Sequence, residues 1–148
     1  MIITQEILDK LSAKAKESPR LRCNLDMRNS AADQSQRMLN ALEPGKVMPI
    51  HKRSSETCIC IRGHFEEYFY DAEGRLTDTI DMVPDGVVLN IEKGQWHSLK
   101  CLESGTVLFE AKDGPYRPFG LRSRCMCWMY DLVLLILHPL SSAMRTTS

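Results

Sequence analysis

Short apolar segments separated by turn residues fill the middle of the chain, and this pattern limits the fold more than any other feature. From Leu21 to about Ala111, glycine, proline and aspartate stand between apolar runs of four to eight residues. Short strands at regular spacing, with turn signals between them, are typical of a β-sandwich or β-barrel. We therefore predict an all-β domain. The clearest predicted strands cover residues 38–42, 57–61, 65–70, 76–82, 87–91, 97–102 and 106–111.

One short helix is predicted ahead of the strands. Over residues 4–17, Ile7, Leu8 and Leu11 fall on one helical face. Thr4 is a suitable N-cap, and the Ser-Pro pair that follows ends the helix. We expect this N-terminal helix within residues 1–19 and the β-domain within residues 20–119.

The remaining segment, residues 120–148, differs in composition from the rest. It is apolar from Cys125 to Leu137 except for Asp131, and it is too short and interrupted for a membrane span. Two interpretations stay open: a core or interface helix, which would allow a homodimer, or a terminus from a shifted reading frame. We assign no function to this tail.

Size and charge exclude several classes of protein. The 148 residues suit one domain that can bury a core. Lysine plus arginine and aspartate plus glutamate are both 19, so no excess of positive charge indicates nucleic-acid binding. The polar N-terminus lacks the apolar stretch of a signal peptide, so we expect a cytoplasmic protein with free thiols. We interpret Cys58 and Cys60, on one face of a predicted strand, as small buried apolar residues.

The segment between residues 45 and 63 carries a spaced set of glycine, histidine and acidic residues. Gly45 is followed after five residues by His51, and Arg53 stands two positions further on. Glu56 comes next, and six residues separate it from Gly63. This spacing resembles the first motif of the cupin superfamily, in which a second histidine stands where this chain has Arg53 and the gap to the glutamate is slightly longer.

A second spaced set follows 22 residues later. Gly86 is followed by Glu92, Gly94, His97 and Cys101 at the intervals of the second cupin motif, where proline and asparagine replace Glu92 and Cys101. Either motif alone is a weak signal, but the two in the right order are a strong one. The resemblance implies a cupin fold, a double-stranded β-helix or jelly-roll barrel, with a short N-terminal helix.

Longer stretches resemble one group of cupins more closely. The segments QRMLNALEPG and EAKDGPYRP, within a resemblance that covers residues 4–119, look like the WbuC-type cupin-fold metalloproteins. These are small bacterial proteins often encoded among genes for O-antigen and other surface polysaccharides. The resemblance implies a metal-dependent role on a sugar or nucleotide sugar, of isomerase or epimerase type. The alternatives are a non-catalytic module that binds a sugar or anion and a structural or regulatory dimer, so whether the protein is an enzyme stays open.

By the same resemblance, His51, Glu56 and His97 are candidate ligands of one divalent metal ion, which would be zinc, iron, manganese or nickel. Imidazole nitrogens and a carboxylate suit these ions, and two or three coordination positions would stay open for substrate oxygens. The alternative interpretation is that both histidines are partly buried residues of the barrel wall.

Three further residues are candidate substrate contacts. Arg53 cannot ligate a metal because its guanidinium stays protonated; it either points inward and holds an anionic group or faces solvent. Gln95 is a candidate hydrogen-bond donor at the rim, and His64 lies either near the site or in an exposed turn. We find no lysine or second carboxylate near the motifs, so only Glu92 or His64 is left as a general base.

Two further pairs of residues are interpreted as having no direct role in the site. Arg20 and Arg22 precede the barrel near its expected mouth, and we interpret them as solvated charges. Tyr68 and Tyr70 share one face of a predicted strand, and we interpret them mainly as core or barrel wall.

Overall fold

The computed structural model describes residues 1–46, 48–51 and 54–116. In this part of the chain, a single helix precedes a series of antiparallel strands, which confirms the predicted all-β fold with a short N-terminal helix. The elements are α1 (Gln5–Glu17), β1 (Arg22–Asp26), β2 (Ser35–Leu42), β3 (Glu56–Arg62), β4 (Phe65–Tyr70), β5 (Leu76–Met82), β6 (Val88–Ile91), β7 (Trp96–Cys101) and β8 (Thr106–Asp113).

The strands form two antiparallel sheets. The larger has the order β1-β2-β8-β3-β6, and the smaller has the order β5-β4-β7. Apolar side chains from both sheets pack against one another in one cluster, which places the core between the sheets, as in a jelly-roll barrel. Its buried members are Leu42, Cys58, Cys60, Phe65, Met82, Ile91, Leu99, Cys101 and Leu108.

Helix α1 covers the outer face of the larger sheet. Thr4 caps its N-terminus, where the side-chain oxygen accepts the N–H of Ile7 at 3.4 Å, and Ser18 is the C-cap. One apolar stripe of the helix packs on three strands of the sheet, and Arg62 on β3 fixes the helix by donating to the Leu8 carbonyl and to Ser12. The second buried cluster, formed by helix and sheet together, comprises Leu8, Leu11, Ala15, Leu39, Ala41 and Val107.

The alternation of side chains along β2 and β8 decides what faces the barrel interior. Leu39 and Ala41 pack beneath the helix. Asn40, which lies between them on β2, points the other way, into the interior with its polar side chain. On β8 the same alternation turns Glu110 and Lys112 inward. Each of these central strands therefore has an apolar outer face and a partly polar inner one.

The predicted strands agree closely with the observed ones, with two differences. The edge strand β1 was not singled out, because its side chains are mostly half-buried or exposed and show little apolar pattern. On β4, Phe65 and Glu67 are the buried residues, whereas Tyr68 and Tyr70 are only half-buried. The apolar character of the two tyrosines pointed to the wrong face of this strand.

Residues 117–148 lie outside the described residues, and with them the predicted apolar tail and any dimer contact that it would make. The four cysteines in the described ranges, Cys23, Cys58, Cys60 and Cys101, are free thiols. The described part of the chain contains no helix that is long and apolar enough to cross a membrane.

Candidate metal centre

A backbone bridge sets the two motif histidines side by side. His51 lies just after a short extended segment, and His97 is the second residue of β7. The N–H of each residue donates to the carbonyl of the other at 3.0 Å, as an isolated antiparallel bridge. Glu56 begins β3 in the opposite sheet. The three predicted ligands therefore come from both walls of the barrel and meet in its interior, where all three are buried.

Backbone carbonyls orient both imidazole rings. Nδ1 of His51 lies 2.9 Å from the Pro49 carbonyl oxygen, and Nδ1 of His97 lies 3.0 Å from the carbonyl oxygen of Gln95. Because a carbonyl only accepts hydrogen bonds, each Nδ1 carries the proton and each Nε2 presents a lone pair. Hydrogen bonds of this kind orient histidine ligands in metal sites.

The two Nε2 atoms face one oxygen of Glu56. Nε2 of His97 lies 2.8 Å from Oε1 of Glu56, and Nε2 of His51 lies 3.8 Å from the same atom. One ligand atom from each residue fits within 4.8 Å of the other two. With both Nδ1 protons committed to carbonyls, three lone pairs converge, and the point between them requires a cation, either an extra proton or a metal ion. The donor set and its geometry fit a divalent metal ion.

The protonation states also suit metal ligation. Burial and the neighbouring His97 lower the pKa of His51 to about 4, so its ring is uncharged at neutral pH. Burial alone would raise the pKa of Glu56, but His97 and the charge of Lys112 outweigh burial and hold that pKa well below its usual range. The site thus offers neutral imidazole and an ionised carboxylate, which are the forms that bind metal.

The second oxygen of Glu56 is bound to a half-buried lysine on β8. Nζ of Lys112 lies 2.8 Å from Oε2 of Glu56 and 3.0 Å from Oε1 of Glu110. Burial opposes the charged form of Lys112, but the two carboxylates outweigh it and raise the lysine pKa. Burial raises the pKa of Glu110 as well, and its other oxygen accepts the Asn40 amide at 3.1 Å. Lys112 therefore fixes the Glu56 carboxylate with Oε1 turned toward the histidines.

A third carboxyl group faces the same interior. Glu67 on β4 is only 1% exposed, and among the described residues its Oε2 has no hydrogen-bond partner. Burial, with the nearby negative charges of Glu56 and Glu110, raises the pKa of Glu67 well above its usual range. Burial therefore favours the protonated form of Glu67, which offers the cavity an O–H donor.

A second group of possible ligands is less suited to a metal. One ligand atom each from Glu56, Cys58 and Glu110 also lies within 4.8 Å of the others. Burial raises the pKa of Cys58 well above its usual range, so the thiol stays protonated and is a poor ligand. The ammonium of Lys112 already bridges the two carboxylates. We therefore place the candidate metal centre at the histidines.

The candidate centre opens into a cavity of about 410 Å³. This volume falls in the range typical of small-molecule sites, about 300–1,000 Å³. Its wall combines apolar side chains, such as Leu42 and Leu99, with a row of polar groups on the larger sheet. The polar residues that line it are Arg22, Gln36, Asn40, His51, Ser54, Glu56, Glu67, Lys93, His97, Glu110, Lys112, Asp113 and Tyr116.

Of the three predicted substrate contacts, the two in the described ranges, Gln95 and His64, are not part of this wall. Arg53 lies outside the described residues. The Gln95 amide donates to the carbonyls of Tyr70 and Trp96 at 3.2 and 3.0 Å, and it is the backbone carbonyl of Gln95 that holds a ligand histidine. His64 forms a hydrogen-bonded pair with Asp81 on β5. Neither Gln95 nor His64 lines the cavity.

Several cavity residues were missed because they lie outside the two motifs. The prediction that no lysine or second carboxylate stands near the motifs is wrong, since Lys112, Glu110 and Glu67 all surround Glu56. Pairing of β3 with β8 brings Lys112 opposite Glu56 from 56 positions further along the chain. The alternation of Leu108, Glu110 and Lys112 on one strand face was the available signal.

The chain matches a protein-family model over its first half. The model of the DUF6016 family, described as a domain of unknown function, matches residues 3–82, which is more than half of the chain. None of the curated proteins matches.

Comparison with solved structures shows the fold. Oxalate decarboxylase from Bacillus subtilis, in a study of its Mn(II) centres, is 20% identical with a TM-score of 0.52, over 66% of this chain and 26% of that one. A cupin superfamily protein from Desulfitobacterium hafniense is 16% identical with a TM-score of 0.52, over 62% and 76% of the two chains. A conserved protein of unknown function from Streptococcus pyogenes is 12% identical with a TM-score of 0.53, over 68% and 80%. This chain therefore has the cupin fold, and it spans only about a quarter of the oxalate decarboxylase chain.

Proposed function

The chain belongs to the DUF6016 family, and because it has the cupin fold with a buried His-Glu-His group, we propose that it binds one divalent metal ion and acts on a small polar molecule. The ligands in this proposal are His51, Glu56 and His97. The observation that carries it is the convergence of the two imidazole Nε2 atoms on Oε1 of Glu56, with both Nδ1 atoms held by backbone carbonyls.

The donor set favours zinc, iron, manganese or nickel over magnesium or calcium, which prefer oxygen ligands. Manganese is supported further by the Mn(II) centres of oxalate decarboxylase, which shares the fold. Held by His51, Glu56 and His97, such an ion would supply Lewis-acid chemistry toward a carbonyl or hydroxyl oxygen of the ligand. Around it, Lys112 holds the Glu56 carboxylate in place, and burial favours the protonated form of Glu67.

For the ligand we propose a sugar or nucleotide sugar and a role in the synthesis of surface polysaccharide. Support comes from the resemblance to WbuC-type proteins and from a cavity of a size that suits a small molecule. The polar wall beside an apolar one also suits a sugar, which has hydroxyl groups and apolar C–H surfaces. A cytoplasmic location would fit this role.

A second function is favoured by one feature of the cavity. Lys112 already supplies a cation to Glu56, so the carboxylate is neutralised even when no metal is bound. A cupin of this kind can bind a sugar or an anion without a metal and without catalysis. The two functions differ in whether a metal is retained.

The proposal is tested by the metal content of the purified protein. We expect about one zinc, iron, manganese or nickel ion per chain when the protein is purified without a metal affinity column and measured by elemental mass spectrometry. The His51→Ala/His97→Ala double variant should lose this metal, because a single carboxylate does not retain a transition metal at low concentration.

The matched control is His64→Ala. It removes an imidazole of the same chemistry that lies outside the cavity, so its metal content should equal that of the wild type. A wild-type protein that takes up none of the four metals after incubation with each would overturn the metal function. Metal that persists in the double variant would place the site elsewhere.

A further inference from the structure

We propose that the ligand of this cavity is an anion, and that Arg22 binds its carboxylate or phosphate group. This inference rests on the proposed function, because it names the chemical class of the molecule that would reach the metal centre. Arg22 begins β1, and its side chain lines the cavity together with the metal-ligand candidates. Arg22 therefore faces the cavity and is not the solvated charge expected from the sequence.

The hydrogen bonds of Arg22 leave its charge without a carboxylate partner. One guanidinium nitrogen donates to Oδ1 of Asn40 at 3.3 Å, and the other lies 3.5 Å from the sulfur of Met48. Both acceptors are neutral, and the first distance is at the long end for a hydrogen bond. Within the described ranges, Arg22 forms no ion pair, whereas Arg28, Arg37, Arg62 and Arg75 each pair with an aspartate.

Other positive charges surround Arg22. Burial lowers the pKa of Arg22, and the charge of Arg20 lowers it further. Lys46 is affected in the same way, first by burial and then by Arg22 and Arg20. Lys93 lines the cavity as well. The negative charge of Glu110 acts on Arg22 in the opposite sense, but Glu110 already pairs with Lys112. Positive charges held close together repel one another, and an anion placed among them relieves this repulsion.

The charges inside the cavity also favour an anionic ligand. Asn40 links Arg22 to Glu110, and Lys112 links Glu110 to Glu56, so one polar row runs from the arginine to the metal centre. Even with both carboxylates ionised, their charges do no more than cancel those of Lys112 and Arg22, and Lys93 and Asp113, which also line the cavity, carry opposite charges. Burial favours the uncharged form of Glu67. A bound divalent ion therefore leaves the cavity positively charged, which favours an anionic ligand over a neutral one.

The shared chemistry of the ligand is a planar carboxylate or a phosphate, both of which fit the two-pronged guanidinium. The group could be carried by a sugar phosphate or a sugar acid, or it could be free phosphate. Four probes separate these sources: glucose, glucose 1-phosphate, glucuronate and inorganic phosphate. Each is titrated by calorimetry into the full-length protein, both metal-loaded and metal-free.

We expect glucose 1-phosphate or glucuronate to bind at least tenfold more tightly than glucose. Arg22→Met should weaken binding of the anionic probes by about tenfold or more, which is typical of a lost hydrogen bond to a charged group, and should leave glucose binding unchanged. The affinity of Arg22→Lys for the anionic probes should lie between those of the wild type and Arg22→Met, because lysine keeps the positive charge but lacks the two-pronged guanidinium. The control is Arg75→Met, which removes an equal charge from an exposed side chain that does not line the cavity. The affinity of this variant for the anionic probes should stay within about twofold of that of the wild type.

The proposal is overturned if Arg22→Met binds the anions within about twofold of the wild type, if glucose binds as tightly as the anions, or if no anion binds more tightly than roughly 1 mM. Equal affinity for inorganic phosphate and glucose 1-phosphate would identify phosphate itself as the recognised group. Metal content is measured on the same samples. If the protein contains metal but anion binding does not depend on Arg22, only this inference is contradicted. If anion binding depends on Arg22 but the protein contains no metal, only the metal function is contradicted.

Discussion

The two faces of the larger sheet are both buried, yet they bury opposite kinds of side chain. On the outer face, Leu39, Ala41 and Val107 meet the helix in an apolar layer. On the inner face of the same strands, Asn40, Glu110 and Lys112 form a row of polar and charged groups. The backbone is the same for both faces, so the difference lies in the side chains that alternate along it.

Burial on the outer face stabilises the fold, whereas burial on the inner face holds the polar groups that line the cavity. Apolar contacts beneath the helix stabilise the fold by removing apolar surface from water. Charged groups inside the barrel lose their hydration, and only their mutual pairing compensates for that loss. The stability of the inner face therefore depends on the presence of each charged partner. The stability of the outer face depends on how much apolar volume is buried. The following substitutions test this difference, from the largest expected effect to the smallest.

Replacing Lys112 by methionine should have the largest effect on stability. The substitution leaves the carboxylates of Glu56 and Glu110 buried without their cation, and removal of one partner of a buried ion pair costs about 3–5 kcal/mol. The free energy of unfolding, measured by chemical denaturation of metal-free protein at pH 7, should fall by this amount. Lys100→Met removes an exposed lysine and should change stability by no more than about 0.5 kcal/mol. Equal effects of the two substitutions would show that the inner ion pairs contribute nothing.

Replacing Leu11 by alanine should lower stability by about 2–4 kcal/mol and leave the metal content unchanged. Leu11 is 7% exposed and belongs to the apolar layer on the outer face, across the sheet from the candidate centre. Denaturation and elemental analysis of the same preparation measure the two quantities. The control is Ile2→Ala at a residue 82% exposed, with little expected change. A loss of metal in Leu11→Ala at temperatures where it remains folded would contradict the independence of the two faces.

Replacing Glu67 by glutamine should stabilise the metal-free protein, and the gain should grow with pH. Burial raises the pKa of Glu67 above its ordinary value of 4.5, so the folded state keeps a proton that the unfolded state loses. The stability of the wild type therefore falls as pH rises above the unfolded pKa, by about 1.4 kcal/mol per pH unit until the folded pKa is reached. Glutamine does not titrate, so the advantage of the variant over the wild type should be smallest at pH 4 and should increase as the pH rises above 4.5.

Thermal or chemical unfolding at several pH values measures this difference. Glu92→Gln, at an exposed residue, is the control and should show no such trend. A constant difference between wild type and Glu67→Gln at all pH values would show that Glu67 titrates normally.

The helix, the strands and the three candidate ligands could be predicted because they depend on local sequence patterns and on motif spacing. Strand periodicity, turn residues and the Thr4 cap are properties of neighbours in the chain, so the strand limits followed from the pattern. The spacing of His51, Glu56 and His97 matched two known motifs, and the structure brings these three side chains together.

The rest of the cavity depends on which strands become neighbours. Lys112 meets Glu56, and Asn40 meets Glu110, only because β8 lies between β2 and β3. Alternation indicates that side chains share a face, but it does not tell which strand pairs with which or in what register. Glu67 was obscured for a related reason, since the two aromatic residues beside it made the opposite strand face look like the interior one.

The bridge between His51 and His97 has a consequence for how this family can diversify. The bridge is made by main-chain atoms, so it requires neither imidazole, and every residue type except proline has the N–H that it needs. A lineage can therefore lose or exchange an imidazole without losing the contact that joins the two strands. Mutation is free to explore new chemistry at these positions while the architecture is inherited unchanged.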